Sequence, residues 1–366
     1  MKKEFRILYG KNLSSADGLA IDESLILSLE RGLICPTLHL YTYKPCVIVG
    51  CFQNLQQSVR IDKCEALGIE MNRRHSGGGT VFMGPEQLAI AFVLPNDFPS
   101  LPKSINKLFK FLAEPLLEAL KVFGISAEFE GKNDLQVNGK KIAGLAISQD
   151  SPKVTFFHVS LLLDFDIPCM LELLNLPTEN FLDRGIFCFG ERMTTIRGEI
   201  ESSGKNPMNA AIDILVKEIK NAFEKYFATP FSSQDLSEEE KKIIERLKKE
   251  KYQNEEWIFK TRAPKKRHIT LSKRTSGGLL QVHIAFSGNL IESILITGDY
   301  FSRTRDVCRL ESILKWTMAT ESSIKKALEL IPENELIYRV QSEELLNLIL
   351  DAAKMSKPGG EKVKQI

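Results

Sequence analysis

Two stretches hold residues whose types and spacing suit chemistry. In "RRHSGGGTVF" (73–82), Arg73 and Arg74 precede Ser76 and the run Gly77, Gly78 and Gly79. Glycine runs weaken helices and strands, because each glycine gives up more conformational freedom on folding than any other residue. A ligand lying close against the backbone is the expected compensation: bare amides bind anionic oxygen, and an arginine forks two donors onto a carboxylate or phosphate. The second stretch is "GKNDLQVNGKKIAG" (131–144). Its Asn138-Gly139 signals a type I′ hairpin pairing Val137 with Lys140 and Gln136 with Lys141, with Asp134 opposite Ala143. Leu135, Val137, Lys140 and Ile142 then share one face, and Asp134, Gln136, Lys141 and Ala143 the other. Of the two lysines this pattern selects Lys141, which sits beside a small residue and shares a face with a carboxylate. The "GK" is not a P-loop, since Asp134 and Lys141 stand where that motif needs Gly and Ser or Thr. On spacing alone, an edge hairpin with solvated lysines and a surface loop with solvated arginines are the simpler readings.

Other candidates are weaker. His158, in "TFFHVSLLLDFD", reads by itself as a core histidine. Cys169 and Cys188 have no base beside them in sequence and read as structural thiols.

Elements that must position these residues follow from periodicity. Residues 16–32 and 104–124 carry helical patterns, the latter with Ser104 as N-cap and Gly124 past its end, and 206–227 gives another long helix. "TLHLYTYKPCVIVG" (37–50) reads as two strands broken at Pro45. Without a regular βαβ rhythm, the expected fold class is α/β (α+β) with a mixed sheet. Residues 1–230 are expected as the main domain. Residues 231–255 read as a charged joining helix opened by a Ser237–Glu240 capping box. A small α+β domain over 256–350 follows, with a hairpin turning at Ser287-Gly288-Asn289, and 351–366 form a disordered tail.

The chain of 366 residues is 43% hydrophobic and 26% charged, with a formal net charge of +2. That is ordinary for a globular protein of two domains and does not point to nucleic acid. No apolar run nears the roughly 18 residues needed to span a bilayer, and the N-terminus does not resemble a signal peptide. The seven cysteines are scattered and odd in number, which suits reduced thiols in a cytoplasm. A cytoplasmic protein with neither nucleic acid nor membrane as partner is expected.

In combination and order, "PCVIVGCFQN" (45–54), "RRHSGGGTVF" (73–82), "NDLQVNGKKIAG" (133–144), "HVSLLLDFD" (158–166) and "RMTTI" (192–196) resemble the lipoate–protein ligase A family of the biotin/lipoate ligase superfamily. The similarity covers most of 5–228, and "GNLIESILITGDYF" resembles the family's small accessory domain. The resemblance implies a mixed-sheet catalytic domain that adenylates lipoate with ATP and Mg2+ to lipoyl-AMP. The lipoyl group then passes to a lysine of a lipoyl domain in a 2-oxoacid dehydrogenase E2 subunit or of a glycine-cleavage H protein. It implies Lys141 as the essential lysine. Arg74, Ser76, Gly77, Gly78, Gly79, Val81, Phe82, Ala143, Gly144 and His158 are implied against the acyl substrate. Gly79, Thr80, Val81, Asn133, Asp134 and Lys141 are implied against the nucleotide, with Asp134 also toward metal.

Departures from the family pattern fall in "MGPEQL" (83–88), where Gly84 replaces an expected carboxylate and Gln87 stands near a usual Asn, and at Val159, which replaces a Gly. Two alternatives stand beside a ligase: an octanoyl or lipoyl transferase working through a cysteine thioester, and a non-catalytic lipoyl-binding homologue.

Overall fold

Apolar residues on both faces of 37–43 and 87–95 leave these segments one stable place, the middle of a sheet covered on both sides. The structure, a computed structural model, describes residues 4–175, 191–207, 210–261, 268–331 and 337–356. Cys188, residues 263–267 of a basic stretch and the end of the expected tail lie outside them. The described chain divides into two units.

The first unit is 1–48, 56–73 and 81–258. Its strands are β1 (Phe5–Leu13), β2 (Thr37–Tyr43), β3 (Cys46–Val49), β4 (Glu70–Arg73), β5 (Val81–Met83), β6 (Gln87–Pro95), β7 (Glu128–Glu130), β8 (Asp134–Val137), β9 (Lys140–Ser148), β10 (Val154–Leu162) and β11 (Phe231–Ser233). Eight of them form one sheet in the order β11-β1-β2-β6-β10-β9-β8-β7, and β4-β3-β5 form a small second sheet. The large sheet is mixed: β11, β1 and β2 run parallel, and β2 onward pairs antiparallel. One face packs Phe5 and Phe92 against Phe223 and Phe227 in edge-to-face contacts. Phe223 and Phe227 come from the helix over Ile212–Phe227, and Phe111, from the helix over Ile105–Val122, joins them through Phe227.

Helix α1 (Ser15–Glu30), capped by Ser14, covers the other face over β2 and β6. Helices α2 (Ile105–Val122) and α3 (Ile196–Ser202) follow, then α4 (Ile212–Phe227), which packs on α2. The expected helix over 206–227 starts later, at Ile212, because Ala211 is extended and serves as its N-cap. Residues 231–255 are not a free joining segment. β11 pairs with β1, and α5 (Glu238–Leu247) buries Ile243, Ile244 and Leu247 beside α1. The Ser237–Glu240 capping box is present. A π-helical turn at Lys248–Tyr252 then leads to Glu255–Ile258.

The second unit is 49–55, 74–80 and 259–366. It holds an antiparallel sheet of β12 (Ile269–Thr275), β13 (Gly278–Ser287) and β14 (Leu290–Gly298), with the hairpin turning at Gly288-Asn289 as the sequence suggests. Helices α6 (Thr304–Leu314), α7 (Glu321–Glu329) and α8 (Ser342–Met355) complete its core around Val282, Ile284, Ile296, Leu310 and Ile349. Helix α8 runs past the boundary expected at 350, because its buried stripe continues through Ala352 and Ala353. Among the described residues no helix is long and apolar enough to cross a membrane.

Arg6 and Glu240 form a buried bidentate pair across β1 and α5, at 3.0 and 2.5 Å. Burial pushes the Glu240 carboxyl up, but donors from Arg6 and Ser237 outweigh it and hold the group below its ordinary range. A depressed carboxyl stabilises the fold above its unfolded pKa and loses that contribution as pH falls through the lower folded value. Urea denaturation should therefore show stability declining below about pH 4. Glu240→Ala should cost about 3 kcal/mol at neutral pH, because it strands a buried guanidinium, and should flatten the acid limb.

Candidate functional site

Asn138 and Gly139 take φ of 49° and 75°, the left-handed pair that a type I′ turn requires. Val137 pairs with Lys140 and Gln136 with Lys141, as the sequence predicts. Beyond that the register shifts: Leu135 pairs with Ala143, and Asp134 faces Gly144 rather than Ala143. Ile142 is the extra residue of a β-bulge, which inserts one residue into one strand and re-aims its neighbours. Ala143 is therefore turned into the core against Leu135 and Leu161, and Gly144 takes the position beside Lys141 that the sequence reading gave to Ala143. On its outer edge Lys141 is held by residues 192–194. Its N–H donates to Arg192 O at 2.8 Å, and its carbonyl accepts from Thr194 N–H at 2.9 Å.

With the backbone fixed on both sides, Lys141 Nζ sits 2.7 Å from Asp134 Oδ1. A Cβ on Gly144 would lie 3.1 Å from Nζ and 3.4 Å from Ser160 Oγ, so the glycine leaves the space the ammonium uses. One row across the sheet runs Asp134, Gly144, Ser160, Ala89, Tyr41, and the next runs Ala146, His158, Ala91, His39. Small side chains thus floor this face between a charged end at Lys141 and an aromatic end at Tyr41. His158 lies on the floor with its ring stacked 5.1 Å from Phe156, a place the core-histidine reading did not give it.

At the aromatic end, Asp22 on α1 accepts from Tyr41 Oη at 2.7 Å and lies 3.0 Å from His39 Nδ1. Burial, then the Asp22 charge, pushes the Tyr41 phenol well above its ordinary value, so it stays a donor. Sequence reasoning missed Ser160, Tyr41 and Asp22. Ser160 was signalled by its position two residues after His158 on a strand, whereas Asp22 lies on another element and had no local signal.

Asn133 closes the hairpin, its Nδ2 donating to Leu145 O at 2.6 Å. The divergent 83–88 loop is also tied down. Gln87 Nε2 donates to Asp164 O at 2.9 Å, and Arg197 on α3 pairs with Glu86 at 2.9 Å. Val81 and Phe82 lie in β5 against Ile48 and Val47.

In the second unit, the Gly-rich loop is organised by its own arginine. Arg74 Nη2 donates to Gly77 O at 2.8 Å and to Gly79 O at 2.7 Å. Ser76 O accepts from Cys51 N–H, and Thr80 Oγ1 donates to Gln53 Oε1 at 3.1 Å. Gly78 has φ of 94°, its N–H donates to Tyr300 O at 2.9 Å, and a Cβ there would strike the Phe301 ring at 2.7 Å. Backbone and ring packing within the unit thus require a glycine here, a reason distinct from the ligand approach expected from the sequence.

Burial pushes the thiols of Cys35, Cys46 and Cys169 up, and that of Cys64 to about 11. These are the opposite of an activated nucleophile. Among the described residues no three His, Cys, Asp or Glu side chains are grouped to hold a metal ion.

Residues 14–228 match the model of the lipoyl protein ligase A/B catalytic domain. The chain belongs to that family. Residues 265–349 match the bacterial lipoate protein ligase C-terminus. The octanoyltransferase LipM of Clostridioides difficile is 29% identical over 274 residues, covering 69% of this chain and 98% of its own. The lipoate-protein ligase LplJ of Bacillus subtilis is 28% identical over 331 residues, covering 90% of this chain and 95% of its own. In fold, the chain is similar to a lipoate-protein ligase A solved with bound ATP, with a TM-score of 0.60 and 23% identity over 71% of this chain and 99% of that one. The relatives include both a ligase and a transferase.

Gly144→Ala tests that geometry. Gly144 is not in the left-handed region, so the backbone accepts alanine, but the methyl meets the Lys141 ammonium at 3.1 Å and shifts it by a few tenths of an ångström. If Lys141 takes part in the reaction, turnover in lipoylation of an acceptor domain should fall by about threefold to tenfold, less than the roughly hundredfold cost of a 1 Å misplacement. Thermal melting should stay within a few degrees of wild type.

Proposed function

We propose that this chain is an ATP-dependent lipoate–protein ligase. The lipoate carboxylate attacks the α-phosphate of ATP, releasing pyrophosphate and giving lipoyl-AMP, and the lipoyl group then passes to a lysine amine, releasing AMP. The observation that carries this over a transferase is extent. Similarity to the ligase LplJ runs through the C-terminal unit, over 90% of the chain, whereas similarity to LipM covers 69%. The match of 265–349 to a ligase C-terminus supports the same choice. The thiol environments add to it, since a thioester route needs an activated cysteine and burial raises four of the described thiols.

Activation brings a carboxylate to a phosphate. Two unit anions about 4 Å apart repel by about 4 kcal/mol at an effective dielectric near 20, and an ammonium equally close to both more than cancels this. Lys141 supplies that charge from a backbone fixed on both edges, and Asp134 aims it. The small-residue floor of Gly144, Ala146, Ala89 and Ala91 leaves room for an acyl chain, with His158 and Ser160 beside it. The nucleotide contacts of Asn133 and Asp134, the contacts of Arg74, Ser76, Gly77, Gly78, Gly79, Thr80, Val81 and Phe82, and an Mg2+ at Asp134 belong to the same proposal. When bound, the metal would offset phosphate charge. The acceptor is proposed to be a lipoyl domain of an E2 subunit or an H protein.

Lipoate-dependent exchange of labelled pyrophosphate into ATP tests the first step. Wild type should exchange, and Lys141→Ala should lose at least about a hundredfold, the scale of removing one preorganised charge-stabilising group. Absence of exchange in wild type, with octanoyl transfer from a carrier protein instead, would make the chain a transferase.

A further inference from the structure

Arg73, the other half of the Arg-Arg pair, has no part in the chemistry above, yet it is fully buried. Its Nε donates to Trp257 O at 3.0 Å and to Ile258 O at 3.2 Å, and Trp257 Nε1 donates back to Arg73 O at 2.8 Å. Neighbouring bonds fix both partners. Asn72 Nδ2 donates to Tyr252 O at 2.9 Å and to Ser15 Oγ at 3.1 Å, and Asn72 Oδ1 accepts from Arg73 N–H. Lys251 lies 4.3 Å from the Trp257 ring centroid and pairs with Glu23 of α1 at 2.8 Å. Arg73 and Ile258 are each the last residue of the first unit before the chain crosses to the second. The reciprocal bonds therefore clasp two crossings to one frame, though they lie about half the chain apart in sequence.

We propose that Arg73 is a positioning residue that sets where the Gly-rich loop begins. Burying a guanidinium is costly unless its donors are satisfied, so an Nε held between two main-chain carbonyls points to a demand for fixed placement. A side chain bonding main chain in both directions removes sliding as well as rotation between the two segments. The next residue is Arg74, whose guanidinium gathers the carbonyls of Gly77 and Gly79. With the clasp loosened, Arg74 starts from a range of positions and acyl-substrate binding weakens. Lys141, anchored separately in β9, keeps its rate. The identity of the acyl substrate rests on the ligase proposal, but the clasp does not.

The test uses the full chain with Trp257→Phe, which removes the indole donor and keeps a smaller aromatic ring under Lys251, and Arg73→Lys, which keeps the charge and loses the Nε donor shared by the carbonyls of Trp257 and Ile258. One readout needs no substrate: the rate of tryptic cleavage after the exposed Lys260. The other is the lipoate KM and kcat in pyrophosphate exchange. Cleavage and KM should each rise about fivefold in both variants, the scale of one lost hydrogen bond, with kcat within about twofold. Wild-type values of both in both variants would overturn the proposal. Faster cleavage with an unchanged KM would overturn the positioning of the loop, and a kcat loss at constant KM would do the same. If wild type shows no exchange, the ligase reading fails, and cleavage at Lys260 still decides whether the clasp exists.

Discussion

The Lys141 ammonium, 2.7 Å from Asp134 and seated over Gly144, depends on a backbone that cannot slide. Lysine is a flexible point charge, and its usefulness between two anions rests on where its Cα is fixed. Three arrangements fix it: the type I′ turn three residues earlier, the bulge at Ile142 and the outer contact with Arg192 and Thr194. The bulge matters most. A regular ladder would have placed Ala143 opposite Asp134 and sent Gly144 to the other face, because alternation has a period of two.

The rest of the first unit serves that edge of the sheet. The phenylalanine face holds the central strands rigidly, while the opposite face keeps small residues next to Lys141 and seals its far end with Asp22, Tyr41 and His39. The second unit builds its Gly-rich loop differently, with carbonyls gathered by Arg74 and one glycine amide taken by Tyr300. Polar main chain that would otherwise need solvent is satisfied in both places, as buried backbone groups must be.

Much of this was legible in the sequence, for local reasons. Asn138-Gly139 fixed the turn, alternation put Lys141 with Asp134, and Ser104 and Ser237 stand at real helix starts, Ser237 with its side-chain cap and Ser104 without one. The bulge was not legible, because it falls where β9 meets residues some fifty positions later. Residues 231–255 looked like a charged connector because their anchors, Arg6, Glu23 and Asn72, are far away in sequence. The need for glycine at 78 was legible but its cause was not, since Phe301 lies more than two hundred residues on.

The central claim is that the acyl group is activated on AMP, with Lys141 as the charge, and never rests on a cysteine. Intact-mass spectrometry of the full chain incubated with lipoate and ATP, without acceptor, tests this directly. The account predicts unmodified protein under denaturing conditions and a noncovalent acyl-adenylate under native ones. An acyl adduct that survives denaturation and is released by hydroxylamine would place the intermediate on a thiol and contradict it.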